Sequence, residues 1–213
     1  MTLDRIVRLL ARLVDGSGGS TRVAIVTETT LRDSGGNEAV KTVATASAVN
    51  EFTVTNSATG LSPILGASGD DTNVSMIFTP KGTAAIVADG PFVSKRSVAT
   101  ITTAGAGTYS AANIAGGIIL RDPNGASRTD TTGTAADILA QFLRARVGSS
   151  FFLMVCNTAD AAETITVAGG TGVTISGTAT IAQNNTKLFM GIFTNVGSGT
   201  EALTLYSVGT FVH

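Results

Sequence analysis

Residues 50–90 read NEFTVTNSATGLSPILGASGDDTNVSMIFTPKGTAAIVADG, and this stretch decides the expected fold class. Phe52 and Val54 alternate with polar residues between positions 51 and 55, which is the period of a strand with one buried face. Residues 56–60 then supply a turn, because Asn, Ser and Gly favour turn conformations. The start of the stretch therefore predicts a short β-strand that ends in a turn.

The second half of the stretch continues this pattern. An apolar run begins at Ile64, and a polar turn follows at residues 69–71. Further strands are predicted at Val74–Phe78 and at Ala84–Val87, and Pro80 ends the first of them. Short strands separated by turns indicate a mainly β protein.

The spacing of turn residues in this stretch resembles a repeat of phage virion fibres and head-decoration proteins, TNxATG followed by PxxxAxGxDTN and PKGT. The resemblance implies a β-rich virion protein that is usually a trimer. The matching positions are Thr55, Asn56, Ala58, Thr59, Gly60, Pro63, Ala67, Gly69, Asp71, Thr72, Asn73, Pro80, Lys81, Gly82, Thr83 and Val87.

The composition favours an assembled protein. Charged residues make up 14% of the 213 residues, where roughly 25% is usual, and hydrophobic residues make up 43%. The chain therefore lacks the charge to coat a large surface, and we expect other subunits to cover some of its apolar area. The 25 glycines are spread as turn residues, as in a β-sandwich, a solenoid or a fibre knob.

Before the β region, Thr2–Asp15 has the pattern of an amphipathic helix, which Gly16 ends. A helix of about fourteen residues is marginal alone in water, so it must pack on sister helices, on its own β domain or on another protein. We predict a docking helix attached through the flexible joint 17–20. Its predicted capsid-docking residues form an apolar seam and a basic face: Leu3, Arg5, Ile6, Arg8, Leu10, Arg12 and Leu13.

The predicted domains are an N-terminal helix and joint over residues 1–20, a fibre-like β region over 21–93 and a β-sandwich over 94–213. Strands are expected at Arg22–Thr27 and Val40–Ala46, around a polar turn at residues 33–37. The boundary before the last domain is placed at Pro91–Arg96, where a proline precedes a Lys-Arg pair.

The last domain has longer and more apolar strands, whose spacing predicts an antiparallel sandwich. One helix interrupts it, because Thr134 can cap Ala135–Arg146 and Gly148 can end it. The predicted strands are Ser97–Thr103, Gly116–Leu120, Phe151–Cys156, Glu163–Val167, Val173–Ile175, Leu188–Thr194 and Leu203–Val212.

The segment that begins GIILRDPNGASRTDTTGTAADILAQF at Gly117 resembles the C-terminal jelly-roll-like domain of many phage and viral structural proteins. The resemblance implies that a polar set fixes the link between strand and helix. The residues themselves predict a turn at residues 122–125 and an ion pair of Asp130 with Arg121 or Arg128. The matching positions are Arg121, Asp122, Pro123, Gly125, Arg128, Asp130, Thr134, Ala135, Gly148, Phe151 and Asn157.

Residue types argue against catalysis and against cofactors. The single histidine is the final residue, His213, so a Ser/His/Asp relay in a core is excluded, and one Cys with one His does not make a zinc site. Cys156 is expected to be a packing residue in an apolar strand. Asp70, Asp71 and Asn73 are interpreted as a turn, since calcium requires six to eight oxygen ligands. We therefore expect no enzyme, metal or cofactor.

The expected partners follow from the net charge of the chain and from its resemblance to phage virion proteins. A formal net charge of -1 gives no attraction to nucleic acid, and no apolar run reaches the roughly 18 residues of a membrane span. The leading hypothesis is a homotrimer that decorates or cements the outer phage capsid by binding the major capsid protein, located on the virion after assembly in the host cytoplasm. The alternative is a short head-fibre or tail-fibre tip that binds a host surface receptor.

Overall fold

The computed structural model describes residues 30–32, 34–35, 37–43 and 45–212. The described chain divides into two compact units, residues 30–74 and 75–212. The predicted N-terminal helix with its seven docking residues, the joint, the strand Arg22–Thr27 and His213 lie outside the described residues and stay predictions.

The first unit contains two antiparallel hairpins. In the first, β1 (Thr30–Arg32) pairs with β2 (Glu38–Lys41). The strand predicted at Val40–Ala46 therefore lies earlier in the chain, at Glu38–Lys41. The short connection after β1 sets this register, because it pairs Arg32 with Glu38.

The second hairpin pairs β3 (Asn50–Thr55) with β4 (Ile64–Gly69); the sequence predicted the first strand and the apolar run at Ile64, but not their pairing. Phe52 and Val54 are nevertheless exposed. The predicted turn braces the hairpin, since Asn50 Nδ2 donates to Asp71 Oδ2 at 2.6 Å and the Asp70 N–H donates to the Val49 carbonyl at 3.1 Å.

The second unit begins with residues 75–96, which we call the exposed segment. The strands predicted at Val74–Phe78 and Ala84–Val87 are wrong for the single chain, because neither is in a strand and every residue of the exposed segment is exposed. A strand requires a neighbouring strand to pair with, and within the described chain neither of these segments belongs to a sheet.

Two sheets make up the rest of the second unit, and the described protein as a whole is mainly β, with 41% strand and 7% helix. One sheet has six strands in the order β11-β14-β13-β9-β7-β5, and the other has four in the order β12-β10-β8-β6. Their bounds are β5 Ser97–Ile101, β6 Thr108–Tyr109, β7 Gly117–Arg121, β8 Arg128–Thr132, β9 Ser150–Asn157, β10 Ile165–Ala168, β11 Val173–Ser176, β12 Thr180–Ile181, β13 Asn185–Asn195 and β14 Ala202–Val212.

The strands of this unit alternate between the two sheets from β5 to β13. As a result β7 lies parallel to both β5 and β9 in one sheet, while β8 lies parallel to both β6 and β10 in the other. The pair β11 and β14 is also parallel, whereas β9/β13, β13/β14 and β10/β12 are antiparallel. The prediction of an antiparallel sandwich is therefore wrong in strand direction, because each return strand crosses to the opposite sheet.

Both sheets contribute to one hydrophobic core. Along β9 the burial alternates, so that Phe151, Leu153 and Val155 point inward. The other buried apolar residues of this cluster are Tyr109, Ile114, Ile119, Ala135, Ile138, Ile165, Val167, Ile181, Phe189, Phe193, Leu203 and Leu205.

Two short helices pack against this core. Helix α1 (Ala111–Gly116) was not predicted, whereas α2 (Ala135–Ala140) begins at the predicted cap, with the Asp137 N–H donating to Thr134 Oγ1 at 3.1 Å. The prediction that α2 extends to Arg146 is wrong: the chain turns after Ala140, and the Phe142 ring stacks on Phe151 at 4.7 Å. Among the described residues, no helix has the length and apolarity to cross a membrane.

Candidate interaction surface

The polar residues singled out in the sequence meet inside the second unit. Arg121, at the end of β7, pairs with Asp130 on β8, with Nε to Oδ2 at 2.6 Å and Nη2 to Oδ1 at 3.3 Å. Both side chains are completely buried. Of the two predicted partners, Arg121 is therefore the correct one; the buried Nε of Arg128 has no hydrogen-bond partner in the described chain.

The cluster is saturated with hydrogen bonds. The Arg121 guanidinium also donates to four carbonyl oxygens, which belong to Ile101, Thr103, Gly105 and Asp122. The carboxylate of Asp130 accepts from the Gly107 N–H and, at 2.9 Å, from the Tyr109 hydroxyl.

The electrostatics of the cluster follow from its burial. Burial raises the pKa of Asp130, but hydrogen bonds from Arg121, the Gly107 N–H and Tyr109 outweigh it and lower the pKa below its ordinary value. Burial, and then the Asp130 charge, raise the pKa of Tyr109 far above its ordinary value. With its donors and acceptors satisfied within the fold, the cluster braces β7, β8 and the chain between β5 and β6.

A second buried polar residue, Asn157, lies at the end of β9. Its Nδ2 donates to the carbonyls of Glu163 and Ile181 at 2.8 and 2.9 Å, and its Oδ1 accepts from the Ala159 N–H. Asn157 therefore ties the six-stranded sheet to the strands of the four-stranded sheet. Like Arg121 and Asp130, it supports the fold and presents no group to solvent.

One apolar surface that the fold leaves uncovered is the outer side of the six-stranded sheet, which we call the outer face. Register places its side chains beside one another: Val98 beside Ile118, Ile118 beside Met154, and Met154 beside Leu188. Four are exposed, at 57% for Val98, 49% for Phe152, 39% for Met154 and 40% for Tyr206. The outer face consists of Val98, Ile118, Leu120, Phe152, Met154, Cys156, Leu188, Met190, Ile192 and Tyr206.

The outer face carries no charge within the described strands. The two cationic residues of these strands, Arg121 and Lys187, are buried, and burial lowers the pKa of Lys187. The polar residues at the margin of the outer face are Ser and Thr, such as Thr100 and Thr204. Arg96 marks one border, where its Nη1 donates to the Phe152 carbonyl at 3.4 Å.

The four-stranded sheet has a different outer side. There, the register aligns Thr108 with Thr131 and Thr129 with Thr166, and Thr166 pairs in turn with Thr180. Threonine suits an exposed strand, since its branched carbon fits the pleat and its hydroxyl bonds water. One sheet therefore shows water a polar face and the other an apolar one.

The dimensions of the outer face follow from the strand spacing and the rise along a strand. From β5 to β14 it spans four strand spacings, or roughly 20 Å, and Leu188 to Ile192 adds roughly 13 Å along the strand, on the order of 250 Å² in projection. The largest apolar patch of a typical monomer is about 300 to 600 Å², so the lack of charge on the outer face, more than its area, singles it out. The sequence of Phe151–Cys156 could have indicated the outer face, because a continuous apolar run is typical of a strand with two apolar faces.

The described residues contain no group of three or more His, Cys, Asp or Glu side chains arranged to hold a metal ion. Cys156 is a free, half-buried thiol on the outer face. The predicted docking residues of the N-terminal helix lie outside the described residues, so nothing relates them to this surface.

No protein-family model, no curated protein and no solved structure matches this chain.

Proposed function

We propose that this chain is a virion structural protein that decorates or cements the outer surface of a phage capsid as a homotrimer. The resemblance of residues 55–87 to phage fibre and decoration repeats supports the virion assignment. The charged fraction of 14% supports assembly, because so few charges leave apolar surface for subunits to share.

The observation that carries self-assembly is the outer face. An uncharged apolar surface gives no electrostatic selection for a charged partner, and three copies can bury the same face around a threefold axis, where each subunit contacts both of its neighbours. The threonine-rich side of the four-stranded sheet suits solvent. We therefore place the subunit contact on the outer face and the solvent on the threonine side.

Analytical ultracentrifugation of the full chain tests this placement. We expect a trimer at micromolar concentration, and we expect Met154→Lys to dissociate it, because the substitution would bury an unpaired charge in the interface. Thr131→Lys, on the exposed side of the other sheet, is the matched control and leaves the trimer intact. A monomeric parent protein, or two variants that behave alike, would contradict the placement.

We assign attachment to the capsid to the predicted helix Thr2–Asp15, through its predicted apolar seam and its arginines. The C-terminal sandwich has the two packed sheets of the predicted jelly-roll-like domain, but its five parallel strand pairs depart from a jelly roll, whose strands are antiparallel. Removing residues 1–19 should leave a folded trimer that no longer binds particles lacking the protein, and Leu10→Asp should have the same effect. Full occupancy by the shortened protein would place the anchor elsewhere.

Copy number separates decoration from the alternative of a receptor-binding fibre tip. Quantitative gels of purified virions should show on the order of hundreds of copies for a decoration protein, because a subunit that covers a capsid repeats with the symmetry of the shell. A fibre tip would be present in tens of copies or fewer. We favour decoration, since the chain has no Trp and only two Tyr, whereas glycan-binding tips present exposed aromatic rings.

A further inference from the structure

The exposed segment, residues 75–96, has the sequence of a β-structure but none of its pairing. Seven of its large apolar side chains are exposed, from 36% for Met76 to 90% for Val93. The set is Met76, Ile77, Phe78, Ile86, Val87, Phe92 and Val93. So many large apolar side chains exposed within one short segment are typical of a surface that a partner covers.

The backbone of the exposed segment is also unpaired. Within the described chain its one backbone hydrogen bond joins the Ala84 N–H to the Lys81 carbonyl, at 3.4 Å. Unpaired N–H and C=O groups beside apolar side chains are the features of a strand that awaits a neighbour.

The chain also offers a sheet edge that can accept such a strand. Strand β5 lies at the end of the six-stranded sheet and pairs on one side with β7, so that alternate N–H and C=O groups point away from the sheet. Its sequence, SVATI, has no charge and no proline to block pairing. The edges of the four-stranded sheet, β6 and β12, are two residues long and offer little backbone.

We infer that Val74–Phe78 and Ala84–Val87 become a β-hairpin by pairing with a second copy of this chain, so that one strand of the hairpin lies along the free edge of that copy's β5. This inference rests on the proposed self-association and adds the contact that association requires. The outer face covers on the order of 250 Å² in projection, while a stable interface buries about 800 Å² from each partner. The seven exposed side chains supply apolar area of the kind that is missing.

Hydrogen exchange of the full-length assembly, read by mass spectrometry, tests the pairing. Amides in peptides covering residues 74–88 should exchange more than about tenfold slower in the assembly than in dissociated chains, because pairing protects N–H groups. If the assembly forms but these amides exchange as fast as in dissociated chains, the inference is overturned and the proposed function stands. A chain that stays monomeric would overturn both. Protection that appears only on capsid particles would assign the segment to the shell instead.

Proline variants test the same strand pairing independently of hydrogen exchange. Ile77→Pro and Ile86→Pro each remove a backbone donor in every copy, and we expect each to raise the dissociation constant of the assembly by about tenfold or more. Asp89→Pro, between the second strand and Pro91, is the matched control and should leave the constant unchanged. Because the segment packs in no core, the thermal unfolding of the two sheets should stay that of the parent protein. Equal effects of all three variants would overturn the inference.

Discussion

Arg121 Nε lies 2.6 Å from Asp130 Oδ2, and neither side chain has any exposure to solvent. The pair joins β7 of the six-stranded sheet to β8 of the four-stranded sheet, at the point where the chain crosses between them. Since two charges removed from water are costly unless each is paired and hydrogen-bonded, the bonds to the surrounding carbonyls and to Tyr109 are what make this burial possible.

Breaking this pair should destabilise the second unit strongly. We expect Asp130→Asn to lower the free energy of unfolding by about 3 to 5 kcal/mol, because Arg121 would be left as an uncompensated buried charge. Asp160→Asn, at an exposed position, is the control and should have little effect. Urea denaturation followed by circular dichroism measures both, and equal midpoints would contradict the structural role of the pair.

Acid should weaken the fold through the same carboxylate. The pKa of Asp130 is lower in the folded chain than its ordinary value of 3.8, so the folded state binds fewer protons than the unfolded state below about pH 5. This stabilisation is complete above the unfolded pKa and is lost as the pH falls through the folded pKa. Between pH 5 and pH 3 the parent protein should therefore lose more stability than Asp130→Asn. Identical slopes would show that Asp130 does not couple folding to protons.

Neighbouring residues of β9 should respond differently to truncation. Leu153 is fully buried and Phe152 lies on the outer face. Leu153→Ala should lower the stability by about 3 to 5 kcal/mol, since it leaves a cavity in the core. Phe152→Ala should unfold much as the parent does at concentrations where the chains are dissociated, while weakening self-association. Thermal unfolding and sedimentation together separate these effects, and the reverse pattern would mean that the sheet faces are exchanged.

Gly191 should be intolerant of a side chain. A β-carbon at this position would lie 2.4 Å from the Phe151 ring, which stacks on Phe142 and packs beside Phe193. We expect Gly191→Ala to cost about 1 to 3 kcal/mol, because the packed ring has no room to move. Gly209→Ala is a milder test on the next strand, where the nearest atom is the exposed Phe211 ring at 3.3 Å. Equal losses of stability in the two variants, measured by calorimetry, would contradict the close packing of Gly191 against the Phe151 ring.

Local patterns in the sequence were sufficient for the features that depend on near neighbours. The alternation at Phe52 and Val54 predicted β3, and the apolar run Phe151–Cys156 predicted β9. Thr134 predicted the start of α2, because a capping hydroxyl bonds an N–H three residues away. The strands of two residues, β6 and β12, were missed because they are too short to show a period.

Contacts between distant residues decided the rest. Whether Asp130 pairs with Arg121 or Arg128 was open in the sequence, and the path of β7 and β8 between the two sheets settled it. Parallel pairing could not be predicted either, since it depends on which sheet each return strand joins.

Strand period and composition are local properties, so the residues alone indicated a chain that is rich in short apolar strands and poor in charge. Which apolar residues form the core depends on tertiary packing. Leu153 and Met154 are adjacent and equally apolar in sequence, yet one is fully buried and the other lies on the outer face. The pleat turns neighbouring side chains to opposite sides, and the side that becomes the core is the one that the second sheet covers.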